Sequence, residues 1–356
     1  MLGIDERALR IVWTVFLFGL ILTIVYFIRN TLILFAAAIF FAYALWPMVS
    51  LIERFIPRRR TVALALVYTA FMGILVVLGF ALIPRLIAEA TNLVTSLPKL
   101  LSSGKFATLP LPNWLEPLRV QIIDLMHREA TELQTHVAPL LQAAGTHILS
   151  GVASILPFIL LPILAFFFLK DARAIRTAFI GAVEGAHDRT TLDLILTDIH
   201  SVLKNYIRAL VLLAIVSFSA WAVFLSIMHY PYELLLAGIA GTLEFIPVIG
   251  PAAALIIMLI VCAITGSSLI GIAVFWGAFR LFQDYMLNPY LMSAGIELHP
   301  LLVLFGVLAG EAIGGIPGMF FSVPAIAILR VIYSHLRAPY TRKHLEPEAF
   351  AAEHRG

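Results

Sequence analysis

The chain has 356 residues, of which 61% are hydrophobic and only 13% are charged, and its mean hydropathy is +0.99. Soluble globular domains carry about 25% charged residues, so this composition excludes an ordinary soluble enzyme or nucleic-acid-binding domain. It indicates an all-α integral membrane protein whose first partner is the lipid bilayer. The net charge of +3 indicates no particular partner, but the placement of the charges along the chain is informative.

Five uncharged runs predict membrane-spanning helices, because each approaches or exceeds the roughly 20 residues needed to cross a bilayer. The runs are 11–28, 30–52, 61–84, 143–169 and 209–232. About three further spans are expected between Tyr232 and Leu329, where isolated charges, glycines and prolines interrupt the apolar blocks. The first run follows Asp5 and Glu6, so it does not resemble a cleavable signal. The predicted fold has about eight transmembrane helices.

Lysine and arginine placement predicts the orientation, since short cytoplasmic loops carry an excess of both residues. Positive charges cluster in the connection around Arg59, in the segment 171–207 and in the tail 333–356. The connections near Arg29 and His229 are poor in positive charge and are assigned to the outside. Both termini are therefore predicted to lie in the cytoplasm, which requires an even number of crossings.

Hydrophobic periodicity divides the chain into membrane and surface segments. Apolar residues recur at helical spacing between the third and fourth predicted spans, and again before the fifth, which predicts amphipathic helices in both places. The predicted segments are three N-terminal transmembrane helices (1–84), an extracytoplasmic amphipathic helical segment (85–147), the fourth transmembrane helix (148–170), a cytoplasmic amphipathic segment (171–207), C-terminal transmembrane helices with broken segments (208–332) and a cytoplasmic tail (333–356).

The stretch EFIPVIGP, which begins at Glu244, predicts a broken helix inside an apolar block. Pro247 and Pro251 remove backbone donors and Gly250 adds flexibility, so the helix is expected to stop near Phe245 and to restart after Pro251. Such a break is tolerated in a membrane only where protein or a water-filled cavity surrounds it. An acid at this depth is a candidate functional group, because burial favours its protonated form.

A second break is predicted in GEAIGGIPGMFFSVP, residues 310–324, where Glu311 precedes Pro317 and Gly318. Two such interruptions in one half of a membrane protein are typical of a transporter site built from half-helix ends near the midplane. The alternative is that the glycines only permit close helix packing and that the acids are structurally paired. Both segments can cross the membrane, or both can be re-entrant hairpins, and the C-terminus returns to the cytoplasm in either case.

Between the two breaks lies RLFQDYMLNPYLM, residues 280–292. Arg280 and Asp284 are one helical turn apart and can neutralise each other, while Gln283, Asp284 and Asn288 can line a polar path. Pro289 is expected to end this helix. A structural ion pair and a substrate contact both remain open for the pair.

No catalytic or ATP-binding signature is present: the chain lacks HExxH, GxSxG, CxxC and GxxxxGK[ST] patterns. We therefore expect no enzymatic activity and no nucleotide hydrolysis. The single cysteine, Cys262, excludes a disulfide framework within the chain and a cysteine-based metal site, so neither metal nor cofactor is expected. Coupling to protons or sodium ions remains open, with Glu244 as the group that would change protonation.

Three stretches carry a family resemblance: FFFLKD at 166–171, EFIPVIGP at 244–251, and the run from Asp284 through LHP at 298–300 to GIPG at 315–318. With these motifs the chain resembles the autoinducer-2 exporter family of bacterial permeases. Ser293 and Glu311 depart from that pattern, and the second departure adds an acid beside the break.

The resemblance implies an eight-span fold in the bacterial cytoplasmic (inner) membrane and a homo-oligomer, with a pentamer as one option. It also implies ATP-independent export of a small molecule, with a signalling molecule such as autoinducer-2 as one candidate. A sodium/proton antiporter is the alternative within transport, and a membrane scaffold that transports nothing is the alternative from another class.

Overall fold

The computed structural model describes residues 6–55, 60–102, 156–292 and 298–353, together with Arg128, Thr135 and Pro139. These ranges are helical and contain no β-strand, which confirms the predicted all-α class. The predicted extracytoplasmic segment falls, beyond residue 102, almost entirely outside the described residues.

The helices, numbered in chain order, are α1 (Glu6–Phe27), α2 (Arg29–Phe55), α3 (Arg60–Ser102), α4 (Leu156–Gly181), α5 (Ala186–Ile227), α6 (Glu233–Leu243), α7 (Ile249–Thr265), α8 (Leu269–Phe282), α9 (Asn288–Met292) and α10 (Pro300–Glu353). A π-helical turn, Gln283–Leu287, joins α8 to α9. Among the described residues, five segments are long and apolar enough to cross a membrane: Arg10–Phe27, Arg29–Phe55, Thr61–Leu100, Asp188–Ile227 and Pro300–Arg337. The number of eight spans stays a prediction.

Three helices run through predicted segment boundaries. α3 continues across residues 84 and 85, α4 across 170 and 171, and α5 across 207 and 208. A change from apolar to charged residues alters the surroundings of a helix but does not break its backbone hydrogen bonds. The amphipathic helix expected before the fifth span is therefore the first half of α5.

The buried side chains form two main clusters. One cluster joins α5 to α8, with Trp221, Leu236, Met258 and Ile272 among its members. The other joins α2, α3 and α4. Outside them, α1, α2 and α3 expose long runs of large apolar side chains, including Phe16 at 55% and Phe80 at 65%. A surface of this kind matches lipid rather than water.

Helices α6 and α7 form a hairpin, because the end of α7 lies beside the start of α6. The hydroxyl of Tyr230, just before α6, donates to the carbonyl of Ser268, just after α7, at 2.8 Å. On the α3 side, Glu89 Oε2 accepts from the backbone N–H of Leu235 at 2.8 Å and caps the first turn of α6. The chain therefore enters this hairpin and leaves it at the same end.

The hairpin turns at residues 244–248, and its second helix starts at Ile249 rather than after Pro251 as predicted. A proline in the first turn of a helix loses no hydrogen bond, since the N–H groups there have no intrahelical partner. Val248 has φ +68° and ψ −56°, and Ile249 N donates to Pro247 O at 2.8 Å, which together define a γ-turn. A β-branched residue with positive φ is strained, so the surrounding structure must hold this turn.

Helix α10 is a second hairpin, reversed at Gly314 (φ −140°, ψ 15°) and Gly315 (φ +60°, ψ −144°). Gly310 packs against the backbone of Gly318, and Gly306 faces the side chains of Ser322 and Ile326. Residues 306 and 322 of a straight helix would be about 24 Å apart, so the two arms must run antiparallel. Glycine is required at Gly310 and Gly318 because a Cβ on either would overlap the opposing backbone.

Helix α8 does not end at Pro289, contrary to the prediction. The π-helical turn precedes the proline and the chain stays helical through α9 to Met292. A π-helical turn inserts one residue into the helix, and such turns let a helix continue where its regular hydrogen-bond ladder is interrupted.

The two hairpins open toward opposite ends of α5. The α6–α7 hairpin opens beside Tyr230, after the C-terminus of α5, while the second arm of α10 reaches Asp198 near the other end, with His335 Nε2 at 3.2 Å from Asp198 Oδ2. Asp198 and Ile227 are about 43 Å apart along a straight helix. The hairpins meet between these ends, where the rings of Phe245 and Phe320 lie 5.5 Å apart.

Candidate functional site

Three polar side chains close a ring at the turn of the α6–α7 hairpin. Ser217 Oγ on α5 donates to Glu244 Oε2 at 2.9 Å, and Gln283 Nε2 donates both to Glu244 Oε1 at 3.2 Å and to Ser217 Oγ at 3.0 Å. Ser217 is 0% exposed and Gln283 is 2% exposed, while Glu244 is half-buried. The ring joins α5, the hairpin turn and the start of the π-helical turn.

The ring aims its donors at the carboxylate. Ser217 Oγ accepts a hydrogen bond from Gln283 and donates its hydroxyl hydrogen to Glu244. The carboxylate therefore accepts two hydrogen bonds and donates none. This arrangement suits an ionised carboxylate, which is an acceptor only. A proton on Oε2 can be accepted by Ser217 if its hydroxyl turns, whereas a proton on Oε1 directed at Gln283 Nε2 would meet a group that only donates. The site can therefore exist in two arrangements that differ by one proton.

A charged row on α8 and α9 lies beside the ring. Arg280 Nε contacts Asp284 Oδ2 at 3.1 Å, and Asn288 Nδ2 donates to Asp284 Oδ1 at 3.2 Å. The Arg280 and Asp284 side chains are 33% and 43% exposed, so the pair is partly open to its surroundings. The predicted ion pair is present, and it extends through Asn288 as a continuous polar row.

A cavity of about 230 Å³ borders the ring at Glu244 and the row at Arg280 and Asn288. Its lining comes from α5, the hairpin turn, α8, α9 and α10: Val202, Asn205, Tyr206, Leu210, Leu213, Glu244, Pro247, Val248, Pro251, Arg280, Asn288, Leu298, Val303 and Val323. Mostly apolar walls with a few convergent polar groups are typical of small-molecule sites. Hereafter we call this space the hairpin cavity.

Tyr206 lines the hairpin cavity and carries a buried hydroxyl. Its oxygen is buried and has no hydrogen-bond partner among the residues that the structure describes. Burying a hydroxyl without a partner costs free energy, and buried polar groups in proteins are nearly always hydrogen-bonded. This hydroxyl would gain a partner only if a rearrangement of the cavity wall let a water molecule or a solute reach it.

The predicted site residues fall into three groups. Five of them line the hairpin cavity: Glu244, Pro247, Pro251, Arg280 and Asn288. Asp284 does not line the cavity itself but contacts two residues that do, Arg280 and Asn288. Gly250 lets the start of α7 pack against the carbonyl of Leu243. Glu311, Pro317 and Gly318 lie at the α10 hairpin and do not line the cavity.

The two helix breaks contact each other through the aromatic rings of Phe245 and Phe320, and their two acids, Glu244 and Glu311, do not line a common cavity. Phe40 of α2 contacts Phe245 and Phe320, with ring centroids 6.1 Å and 4.6 Å away. Glu311 is exposed near the reversal of α10, and Gly314 approaches Ile33 of α2. Only the first break therefore carries a carboxylate into the hairpin cavity, while the α10 hairpin contributes apolar surface through Val303 and Val323.

Three residues of the site were not among the predicted ones: Ser217, Asn205 and Tyr206. Gln283 was expected only as part of a polar path. A serine inside the apolar run of α5 is a signal for an interhelical hydrogen bond, but it does not name the partner. Tyr206 follows the apolar face of an amphipathic helix, where a tyrosine is ordinarily a packing residue. Only tertiary contacts could show that it faces a cavity.

Within the described ranges, no group of three or more histidine, cysteine, aspartate or glutamate side chains is arranged to hold a metal ion. Cys262 is buried in the α5–α8 cluster. The polar groups of the hairpin cavity are instead a carboxylate, a guanidinium, amides and a hydroxyl, which suit a small polar solute or an exchangeable proton.

Apolar helices long enough to span a bilayer define a multi-pass membrane protein, and comparison with known sequences defines its family. The profile of the AI-2E family transporters matches residues 14–338. The chain therefore belongs to the AI-2E transporter family, which confirms the predicted resemblance. Membership in a transporter family is consistent with the expectation that the chain is not an enzyme.

Curated relatives match over most of their length. The chain is 24% identical over 307 residues to "Putative transport protein YrrI" of Bacillus subtilis (strain 168), which covers 84% of each chain. It is 27% identical over 328 residues to "Putative permease PerM" of Escherichia coli (strain K12), which covers 87% of this chain and 88% of the relative. These names assign transport to the relatives and specify no substrate.

Proposed function

We propose that this protein is a secondary, ATP-independent transporter that exports a small polar molecule and couples the export to an ion gradient. One observation carries the proposal: Glu244 sits at the turn of a broken helix, holds two donors that depend on its protonation state, and lines the hairpin cavity. Intramembrane carboxylates at such positions are typical of proton and ion relays.

The hairpins supply an element that could move. In this proposal both are re-entrant, the α6–α7 hairpin from the outside and the α10 hairpin from the cytoplasm, and they separate the cavity from the two aqueous phases. The contact of Phe245 with Phe320 supports this arrangement, since it closes the space between the hairpin turns with apolar rings. Movement of one hairpin relative to α5 would open the cavity to one side at a time.

Coupling follows from the hydrogen-bond ring. With Glu244 ionised, Ser217 and Gln283 hold the turn against α5 and α8. When Glu244 carries a proton directed at Gln283 Nε2, that bond cannot form and the turn is held less tightly against the π-helical turn, while the bond to Ser217 can persist with its direction reversed. A ligand or proton shifts such an equilibrium only through its different affinity for the two arrangements, and the broken hydrogen bond supplies that difference.

The test is Glu244→Gln in proteoliposomes, measured as solute flux with and without an imposed proton or sodium gradient. Glutamine keeps the size of the side chain and removes the titrating group, so we expect at least a tenfold loss of gradient-driven flux. One carboxylate oxygen becomes an amide donor, so a modest fall in melting temperature is expected as well, and flux is compared only for variant protein that remains folded. Glu311→Gln is the matched control, since it removes an exposed acid outside the cavity and should leave flux within twofold of wild type. Undiminished coupled flux in Glu244→Gln would refute the proposal.

The same assay separates the other functions. Cation-driven proton release without solute flux would favour the sodium/proton antiporter, and the absence of any flux would favour a scaffold. The family name makes autoinducer-2 one solute to include among the candidate metabolites. We further propose that the protein resides in the bacterial inner membrane as a homo-oligomer with both termini cytoplasmic, and crosslinking in native membranes tests the oligomer.

A further inference from the structure

A second and larger cavity lies at the other end of the molecule from the α6–α7 loops. It has a volume of about 510 Å³ and lies between α2, α4 and α5, and it shares no lining residue with the hairpin cavity. Hereafter we call it the α2–α4–α5 groove. Nothing in the proposed transport cycle uses it.

The lining of the groove changes from apolar to charged along α4. The uncharged run of α4 ends at Leu169 and is followed by Lys170. Phe168 and Leu169 line one part of the groove, and Arg173 and Arg176, which follow on the same helical face, line the next part together with Ile175 and Phe179. The groove therefore lies at the level where the chain passes from the hydrocarbon region to the arginine-rich membrane surface.

Arg173 provides a positive charge in the part of the groove that lies at the membrane surface. Arg176 is held by Asp193, with Nη2 at 2.6 Å and Nε at 3.0 Å from Oδ1, and by Thr197 Oγ1 at 2.6 Å. Arg173 is exposed and forms no ion pair within the described part of the chain. A guanidinium is well suited to a phosphate, because its planar fork can donate two parallel hydrogen bonds.

Aromatic and imidazole groups line the wall opposite α4. Tyr43 and Trp46 of α2 face His200 of α5, with Tyr43 Oη 3.0 Å from His200 Nδ1 and the Trp46 and His200 rings 5.3 Å apart. Tyrosine and tryptophan are enriched at the level of lipid headgroups, where an apolar ring and a polar atom are both accommodated. Ile39 and Ala42, which precede Tyr43 on α2, provide an apolar wall next to these rings.

We propose that the α2–α4–α5 groove binds an anionic phospholipid from the leaflet on the arginine-rich side of the membrane, with the lipid phosphate at Arg173 and an acyl chain along Phe168 and Ile39. The proposal rests on charge complementarity at Arg173 and on the order of the lining. The part toward the membrane centre is apolar, and all the charged lining residues, Glu53, Arg173 and Arg176, lie toward the surface, together with Ile175 and Phe179. Basic pockets between helices on the cytoplasmic side are characteristic lipid-headgroup sites.

The test is native mass spectrometry of the detergent-purified protein with added phosphatidylglycerol or phosphatidylcholine. We expect preferential binding of phosphatidylglycerol, and we expect Arg173→Gln to weaken that binding about fivefold, the effect of one basic residue near an anionic surface. Arg208→Gln is the matched control, since it removes the same charge from an exposed position on α5 outside the groove. Ala172→Phe keeps the charge and fills the groove, and it should weaken binding as well.

Three results would overturn the proposal. Equal binding of the two lipids would remove the role of the phosphate charge. Equal losses in Arg173→Gln and Arg208→Gln would show general surface electrostatics. Competition by free glycerol phosphate at the affinity of the lipid would show that the groove recognises a soluble phosphate without an acyl chain. Transport activity is not the readout, so the outcome is independent of the function proposed for the hairpin cavity.

Discussion

The ring of Ser217, Glu244 and Gln283 is favourable only while every member keeps its partners. A buried hydrogen bond contributes about 0.5–1.5 kcal/mol net, but a donor or acceptor left without a partner costs about 1–3 kcal/mol. Ser217 is both donor and acceptor in the ring, so its removal leaves one group of Gln283 and one of Glu244 unsatisfied.

Ser217→Ala is therefore expected to lower the free energy of unfolding by about 1–3 kcal/mol, because two buried polar groups lose a partner. Ser219→Ala is the control on the same helix: Ser219 bonds only the backbone carbonyl of Ile215, and its loss should change stability by less than about 0.5 kcal/mol. Denaturant-induced unfolding in detergent measures both. Equal effects would contradict the importance of the ring.

Tyr206→Phe tests the buried hydroxyl in the wall of the hairpin cavity. Its oxygen bonds nothing among the described residues, so we expect no loss of thermal stability. If the cavity wall opens during transport and a solute hydrogen-bonds to this hydroxyl, the KM for that solute should rise roughly 2–10-fold in the variant, which corresponds to about 0.5–1.5 kcal/mol.

Tyr68→Phe is the matched control for this prediction. The Tyr68 hydroxyl is also buried without a partner in the described part of the chain, but it belongs to the α2–α4 packing and lines no part of the hairpin cavity. The Tyr68→Phe variant should therefore have the same KM for the transported solute as the wild type. A KM for Tyr206→Phe that equals the wild-type value would argue that the solute binds elsewhere.

At the scale of elements, the reversal of α10 has a direct chemical test. A Cβ placed on Gly306 would lie 3.7 Å from the Cβ of Ser322, within the range spanned by disulfides. The double variant Gly306→Cys with Ser322→Cys, in a Cys262→Ala background, should form an intramolecular disulfide on mild oxidation. A straight α10 would separate these positions by about 24 Å.

The disulfide would be detected as a mobility shift after protease cleavage of the reversal, or by mass spectrometry of the linked peptides. Ser322→Cys alone in the same background is the control for intermolecular linkage. Absence of the linked peptides under conditions that oxidise exposed cysteines would exclude the hairpin.

At the scale of the whole molecule, the two hairpins decide how many times the chain crosses the membrane. The hydrogen bond from Tyr230 to Ser268 returns the chain to the side from which α6 started. We therefore predict that single cysteines replacing His229 and Ser267, in a Cys262→Ala background, are labelled from the same side of the membrane.

The control for this topology is Ala182→Cys, in the connection between α4 and α5, which should be labelled from the opposite side because α5 lies between. Membrane-impermeant maleimide applied to right-side-out and inverted vesicles makes the measurement. Labelling of positions 229 and 267 from opposite sides would show that α6 and α7 together cross the bilayer, as one of the two predicted architectures requires.

The sequence by itself determined the membrane class, the helical fold, the family and the two breaks, since these depend on hydropathy, on proline and glycine, and on local motifs. It also identified Glu244, because an acid in an apolar block is exceptional whatever its neighbours are. The pairing of Arg280 with Asp284 followed from helical spacing alone.

The tertiary structure decided what those features do together. It joined Ser217 to Glu244 and placed Tyr206 in the wall of the cavity. It also kept Glu311 out of the cavity and folded α10 back on itself. Pro247 and Gly315 indicate that a helix breaks, but they do not determine the direction in which the chain continues. That direction is set by long-range contacts, the Tyr230 hydroxyl on Ser268 and the backbone of Gly310 on Gly318, and their energies depend on residues far apart in sequence.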